Sequence, residues 1–137
     1  MNRVDLQEIC ELRLKESKAL LAAGFAEGAY YLAGYAVECA LKACIAKRTR
    51  EHDFPEKKQV NDSHTHDLGK LLNLAELKDG LDTVIGTDPA MASALDEIQD
   101  WSETSRYQKK TRQEAEALLN AIEDGKGGLL PWIRLHW

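Results

Sequence analysis

The stretch Ala29–Arg48, AYYLAGYAVECALKACIAKR, decides how the rest of the chain is read. From Ala29 to Ala46 it has the composition of a helix with almost no polar side chain except Glu38 and Lys42. A helix that is apolar nearly all round is buried on most sides. Gly34 and the alanines at 29, 33, 36, 40 and 43 let neighbouring backbones come close. In a bundle of this size, one helix is not expected to be covered on every side by its own chain. A second copy is therefore expected to cover part of it, giving a homodimer through this helix. The two central charges argue against a membrane span, which needs roughly 20 predominantly apolar residues.

Working outward, helical spacing dominates. A first helix is predicted from about Val4 to Ala23, with Leu6, Cys10, Leu14, Ser17 and Leu21 on one stripe and Gly24 as its stop. The apolar helix is predicted from near Ala26 to about Arg48. The polar stretch EHDFPEKKQVNDSHTHD, residues 51–67, contains Pro55 and has no periodicity, so 51–66 reads as a long loop. A short third helix follows, with Leu68, Leu71, Leu72 and Ala75 on one face, Thr65 as its cap and Asp67 in its first turn. Gly80 and Gly86 punctuate the next connection. Asp88 caps a helix with Pro89 at its first position, whose buried face is Met91, Leu95, Ile98 and Trp101. Thr111 and Glu114 form a capping box for the last helix, striped by Ala115, Leu118, Leu119 and Ile122 and ended by Gly125. Residues 126–137 are a tail, expected as an irregular segment or a short turn of helix. The expectation is one domain over residues 1–137, all-α, an antiparallel up-and-down four-helix bundle with an extra short helix.

Composition fits such a domain: 137 residues, 44% hydrophobic and 30% charged. The N-terminal residues are charged throughout and carry no apolar signal segment, so a cytoplasmic location is expected. Cys10, Cys39 and Cys44 are an odd set among apolar neighbours, read as reduced core residues rather than disulfide or zinc ligands. A net charge of -5 does not suggest general nucleic-acid binding. Charge is uneven, however: residues 42–58 hold six basic against three acidic residues, and residues 76–100 hold seven acidic against one basic. Such ends can orient a charged partner, although two solvated faces explain them as well.

Glu38 and Lys42 stand four apart with the acid first, the favourable helical orientation. One reading is a salt bridge exposed at the one solvent gap of this helix. The sharper reading is that Glu38 reaches a cation from another helix, for which Arg106 in WSETSRYQKK is the best candidate, since a guanidinium grips a carboxylate or phosphate bidentately. Tyr31 and Tyr35 precede the pair on the same strip. His64 and His66 alternate in SHTHDL, but no third ligand stands at metal-site spacing, so no metal is assigned. There is no phosphate-binding glycine loop, HExxH or serine elbow. No cofactor is implied.

Taken together, YYLAGYAVECALKACI, HDLGKLL and WSETSRYQ before an Ala-rich last helix resemble the HEPN domain family, over about Leu6 to Glu123. The resemblance implies an all-helical, usually dimeric bundle with roles in nucleotide or RNA transactions. Such domains often stand beside a minimal nucleotidyltransferase in a toxin–antitoxin or defence pair. By position it implies binding roles for Glu38, Lys42, His66, Arg106 and Tyr107. One departure matters. Many HEPN ribonucleases carry an arginine and a histidine with four to six residues between them, whereas Arg106 is followed by YQKKTR, and Arg48 and His52 have only three residues between them. Acid–base cleavage of RNA wants a histidine near the arginine that holds the phosphate. The first expectation is therefore a non-catalytic module that binds a nucleotide, a nucleic acid or a nucleotidyltransferase. Two alternatives stand beside it. One is a metal-independent ribonuclease toxin using Arg106 with His66 or His52. The other is a structural protein whose second helix serves only to dimerise.

Overall fold

The computed structural model describes residues 1–51 and 57–137, with the side chains of all of these but 50 and 51. Its centre is α2, Ala26–Glu51. Before it runs α1, Arg3–Ala22, started by an Asn2–Asp5 capping box. The reversal between them is a Schellman cap, in which Phe25 N–H donates to Leu20 O and Gly24 N–H to Leu21 O. It needs a left-handed residue, and Gly24 supplies it at φ +90. The returning chain is pinned by Ser17, whose buried hydroxyl donates to Ala29 O at 2.6 Å.

After α2 come α3 (Lys57–Asp62), α4 (Leu68–Leu74), α5 (Lys78–Ile85) and α6 (Pro89–Gln99). A 3-10 turn over Glu103–Tyr107 leads to α7 (Arg112–Glu123) and α8 (Leu129–Arg134). The fold is all-α, but it is not the expected four-helix bundle with one short helix. The described residues form eight α-helices and a 3-10 turn. The difference lies where the sequence has short or weak periodicity. Part of the stretch read as a loop is α3, Gly80 lies inside α5, and the tail contains α8. His52 and Pro55 lie outside the described residues.

Where stripes were strong, the helices bury them. The inward residues are Cys10, Leu14 and Ser17 on α1, Leu68, Leu71 and Leu72 on α4, Met91, Leu95 and Ile98 on α6, and Ala115, Leu118, Leu119 and Ile122 on α7. The capping box Thr111–Glu114 and the Asp88–Pro89 start are both present. At α4 the cap is Asp67, which accepts from Lys70 N–H at 3.0 Å, rather than Thr65. Thr65 instead accepts from Asp67 N–H at 3.2 Å, one step upstream.

These elements converge on α2. α1, α4, α7, α8 and the 3-10 turn all pack against it. From Ala29 to Ile45 every residue is buried except Tyr31, Leu32, Tyr35 and Lys42, which are half-buried. The chain's own elements therefore cover most of α2 and leave a half-buried strip of Tyr31, Leu32, Tyr35 and Lys42. Close approach makes this possible. The Trp101 indole, following α6, lies flat on Gly34, where a Cβ would overlap the ring. Among the described residues no helix is long and apolar enough to cross a membrane.

Candidate functional site

Glu38 points into this interior and is 1% exposed. A buried carboxylate without partners would be strongly penalised by desolvation. Its partners come from two directions. One turn on, Lys42 donates through Nζ to Oε1 at 2.8 Å. From the segment just before α4, His66 brings Nδ1 to 3.0 Å from both Oε1 and Oε2. Neither sequence reading of the Glu38–Lys42 pair describes this. The acid is not at a solvent gap, and the partner it meets across the fold is His66, not Arg106.

Local structure explains the position of His66. Asp67 caps α4 and Thr65 caps Asp67, so the backbone at 65–67 is fixed. The residue between them is thereby aimed back over α2. A carboxylate accepts and cannot donate, so the ring nitrogen facing Glu38 carries the hydrogen. The opposite nitrogen, Nε2, makes no hydrogen bond among the described residues. The His66 side chain is 48% exposed. Its ring borders a cleft of about 470 Å³ that Gln99, Trp101, Ser102 and Glu103 also line. A carboxylate that fixes a histidine tautomer leaves the far nitrogen ready to accept a proton or a hydrogen bond.

Aromatic rings join α2 to the cleft wall. Tyr31 stacks on Trp101 with centroids 6.2 Å apart and leans on Tyr35 at 6.0 Å. Burial, and then the charge of Glu38, push the Tyr35 hydroxyl above its ordinary pKa.

Arg106 and Tyr107 stand apart from this cluster. In the 3-10 turn it is Ser105, 1% exposed, that faces inward, and its hydroxyl donates to Ser102 O. The next residue is consequently turned outward. Arg106 is exposed, and its guanidinium lies over the Tyr107 ring at 4.7 Å. Tyr107 is 78% exposed. Arg106 makes no ion pair or hydrogen bond to Glu38 or His66 in the chain. The expected pairing of Glu38 with Arg106 is thus corrected: both oxygens of Glu38 are engaged by Lys42 and His66. His64, exposed, has no part in the cluster. Among the described residues no group of three His, Cys, Asp or Glu is placed to hold a metal ion.

The class these observations define is an all-helical module built round one long buried helix, with a carboxylate–histidine–lysine cluster opening onto a cleft. The HEPN domain family matches residues 4–124, most of the chain, and the protein belongs to that family. No curated protein and no solved structure compared with it matches. Membership supports a nucleotide- or RNA-binding or toxin-associated module, and it is consistent with ribonuclease activity.

Proposed function

We propose that this HEPN protein is a binding module that takes a nucleotide or RNA segment at the cleft beside His66, without cleaving it. The observation that carries the reading is the buried Glu38, which meets Nδ1 of a His66 that lines the cleft and leaves Nε2 unpaired among the described residues. In this reading His66 hydrogen-bonds the ligand, and Lys42, 24% exposed at its side chain, adds positive charge nearby. Exposed Arg106 and Tyr107, on the 3-10 turn whose first residue, Glu103, lines the cleft, offer a charge and a ring, the pairing that grips a phosphate and stacks a base. Glu38 is a positioning residue.

The wider setting we infer follows the family: a homodimer that leaves Tyr31, Leu32, Tyr35 and Lys42 of α2 as the strip facing the second copy. A minimal nucleotidyltransferase would be the partner, in a toxin–antitoxin or defence pair. A second reading, the ribonuclease, is favoured by the same fixed tautomer, because His66 Nε2 is free to take a proton. Against it, Arg106 does not reach His66 within one chain.

Fluorescence anisotropy with a labelled single-stranded RNA, with AMP as competitor, tests the first reading. Saturable binding weakened about tenfold or more in His66→Ala, with the RNA recovered intact, is expected. RNA cleaved by the purified protein, with cleavage lost in His66→Ala, would move the conclusion to the second reading. Absence of binding by both RNA and AMP would leave a purely structural role.

A further inference from the structure

A second cleft, of about 300 Å³, lies where the end of α2, the α4–α5 turn and α8 meet. Its lining on α2 begins at Cys44, six residues or about 9 Å along the helix axis from Glu38, and runs on to Arg48. Its chemistry differs from that of the His66 cleft. Leu77 forms an apolar floor, and Trp132 and His136, with ring centroids 4.7 Å apart, form an aromatic wall. Lys47 and Arg48 also line it and bring positive charge. Lys47 is half-buried and makes no hydrogen bond or ion pair among the described residues. Arg48 is already engaged: Glu76 approaches its Nη2 to 2.6 Å.

Glu76 is the unusual residue here. It occupies the left-handed position of the Schellman cap that ends α4, at φ +54, with Leu77 N–H on Leu72 O and Glu76 N–H on Asn73 O. Gly24 fills the same position after α1. A non-glycine residue there is strained, and persistent strain is a pointer to function. What the side chain achieves is to put a carboxylate on the cationic edge of the cleft. That carboxylate is 65% exposed, so solvent and other anions can compete for its place.

We propose that this cleft is a second binding site, for a small planar aromatic anion, with its ring against Trp132 and His136 and its charge on Lys47. Glu76, held on Arg48 in the same cleft, is an internal carboxylate whose negative charge opposes the ligand's anionic group. An aromatic carboxylate and a nucleoside phosphate share this chemistry, and the experiment separates them.

The whole chain, labelled with nitrogen-15, is titrated with benzoate, AMP, adenosine and inorganic phosphate while the indole N–H signal of Trp132 is followed. A saturable shift with benzoate or AMP, at concentrations where adenosine and phosphate each give little, is expected. Which of the two saturates names the source. Lys47→Ala should weaken that binding about tenfold. Glu76→Gln, which keeps the backbone demand and removes the competing charge, should strengthen it about two- to fivefold. His66→Ala should leave it unchanged, so failure at the first cleft and failure here are distinguishable. No saturable shift with benzoate or AMP would overturn the proposal. An equal response to adenosine or to phosphate alone would do so too, as would affinities indifferent to both Lys47→Ala and Glu76→Gln.

Discussion

Replacing Glu38 with glutamine is the sharpest perturbation of the polar cluster, because it changes charge and almost nothing else. Both groups that face the carboxylate are donors: Lys42 Nζ at 2.8 Å and the His66 Nδ1–H at 3.0 Å from each oxygen. Glutamine has one oxygen to offer them, and its amide NH2 would meet a second donor at close range. Losing one member of a fully buried ion pair costs about 3–5 kcal/mol, whereas exposed pairs contribute about 0.2–1 kcal/mol. This cluster lies between those limits. Glu38 is buried, but the Lys42 and His66 side chains are 24% and 48% exposed and can recover water. We expect a loss of about 1–3 kcal/mol, which for a chain of this size lowers Tm by about 3–12 °C. Thermal and urea unfolding followed by circular dichroism would measure it. An unchanged midpoint, or an equal loss in Arg106→Ala, would refute the reasoning, because Arg106 has no contact with Glu38.

Three further outcomes follow from packing and burial. Gly34→Ala should gain helix propensity yet destabilise the protein by about 1–2 kcal/mol net, since the new methyl group displaces the Trp101 indole; urea unfolding reads this. Glu76→Gly should stabilise by up to about 1 kcal/mol, because relief at φ +54 exceeds the loss of a solvent-exposed ion pair with Arg48; a fall in Tm would contradict it. The three thiols are pushed up mainly by burial, Cys10 to about 12 and Cys39 and Cys44 to about 11, so alkylation of the native chain at pH 8 should be slow. Because the folded chain holds these protons more tightly than the unfolded one, their contribution to stability is full below pH 9 and falls as pH rises from 9 toward 12; unfolding midpoints across that range check the sign.

Much of the helical framework was legible in the sequence, and the reasons are local. The stripes of α1, α4, α6 and α7 repeat at three and four residues, and the Asp88–Pro89 and Thr111–Glu114 starts depend on neighbours within one turn. α3 was missed because it buries no residue and so has no apolar stripe, and α5 because Gly80 made it look like a break, whereas the tail, expected as an irregular segment or a short turn of helix, contains α8. α2 was expected to be buried on most sides, and α8 and the 3-10 turn supply part of that cover. The site was half legible. Glu38, Lys42 and His66 do meet, and the cue was the cap sequence Thr65-His66-Asp67, which fixes the backbone on both sides of the ring. Arg106 was misassigned because a 3-10 register, with three residues per turn, decides which side chain faces α2, and here that residue is Ser105.

The measurement closest to the centre is the tautomer of His66, read from the ring nitrogen shifts of the neutral imidazole in the native protein. In the native chain the hydrogen should reside on Nδ1, which leaves Nε2 as the acceptor, and in Glu38→Gln that preference should be lost. A hydrogen on Nε2, or a tautomer indifferent to the substitution, would mean that Glu38 does not hold this ring.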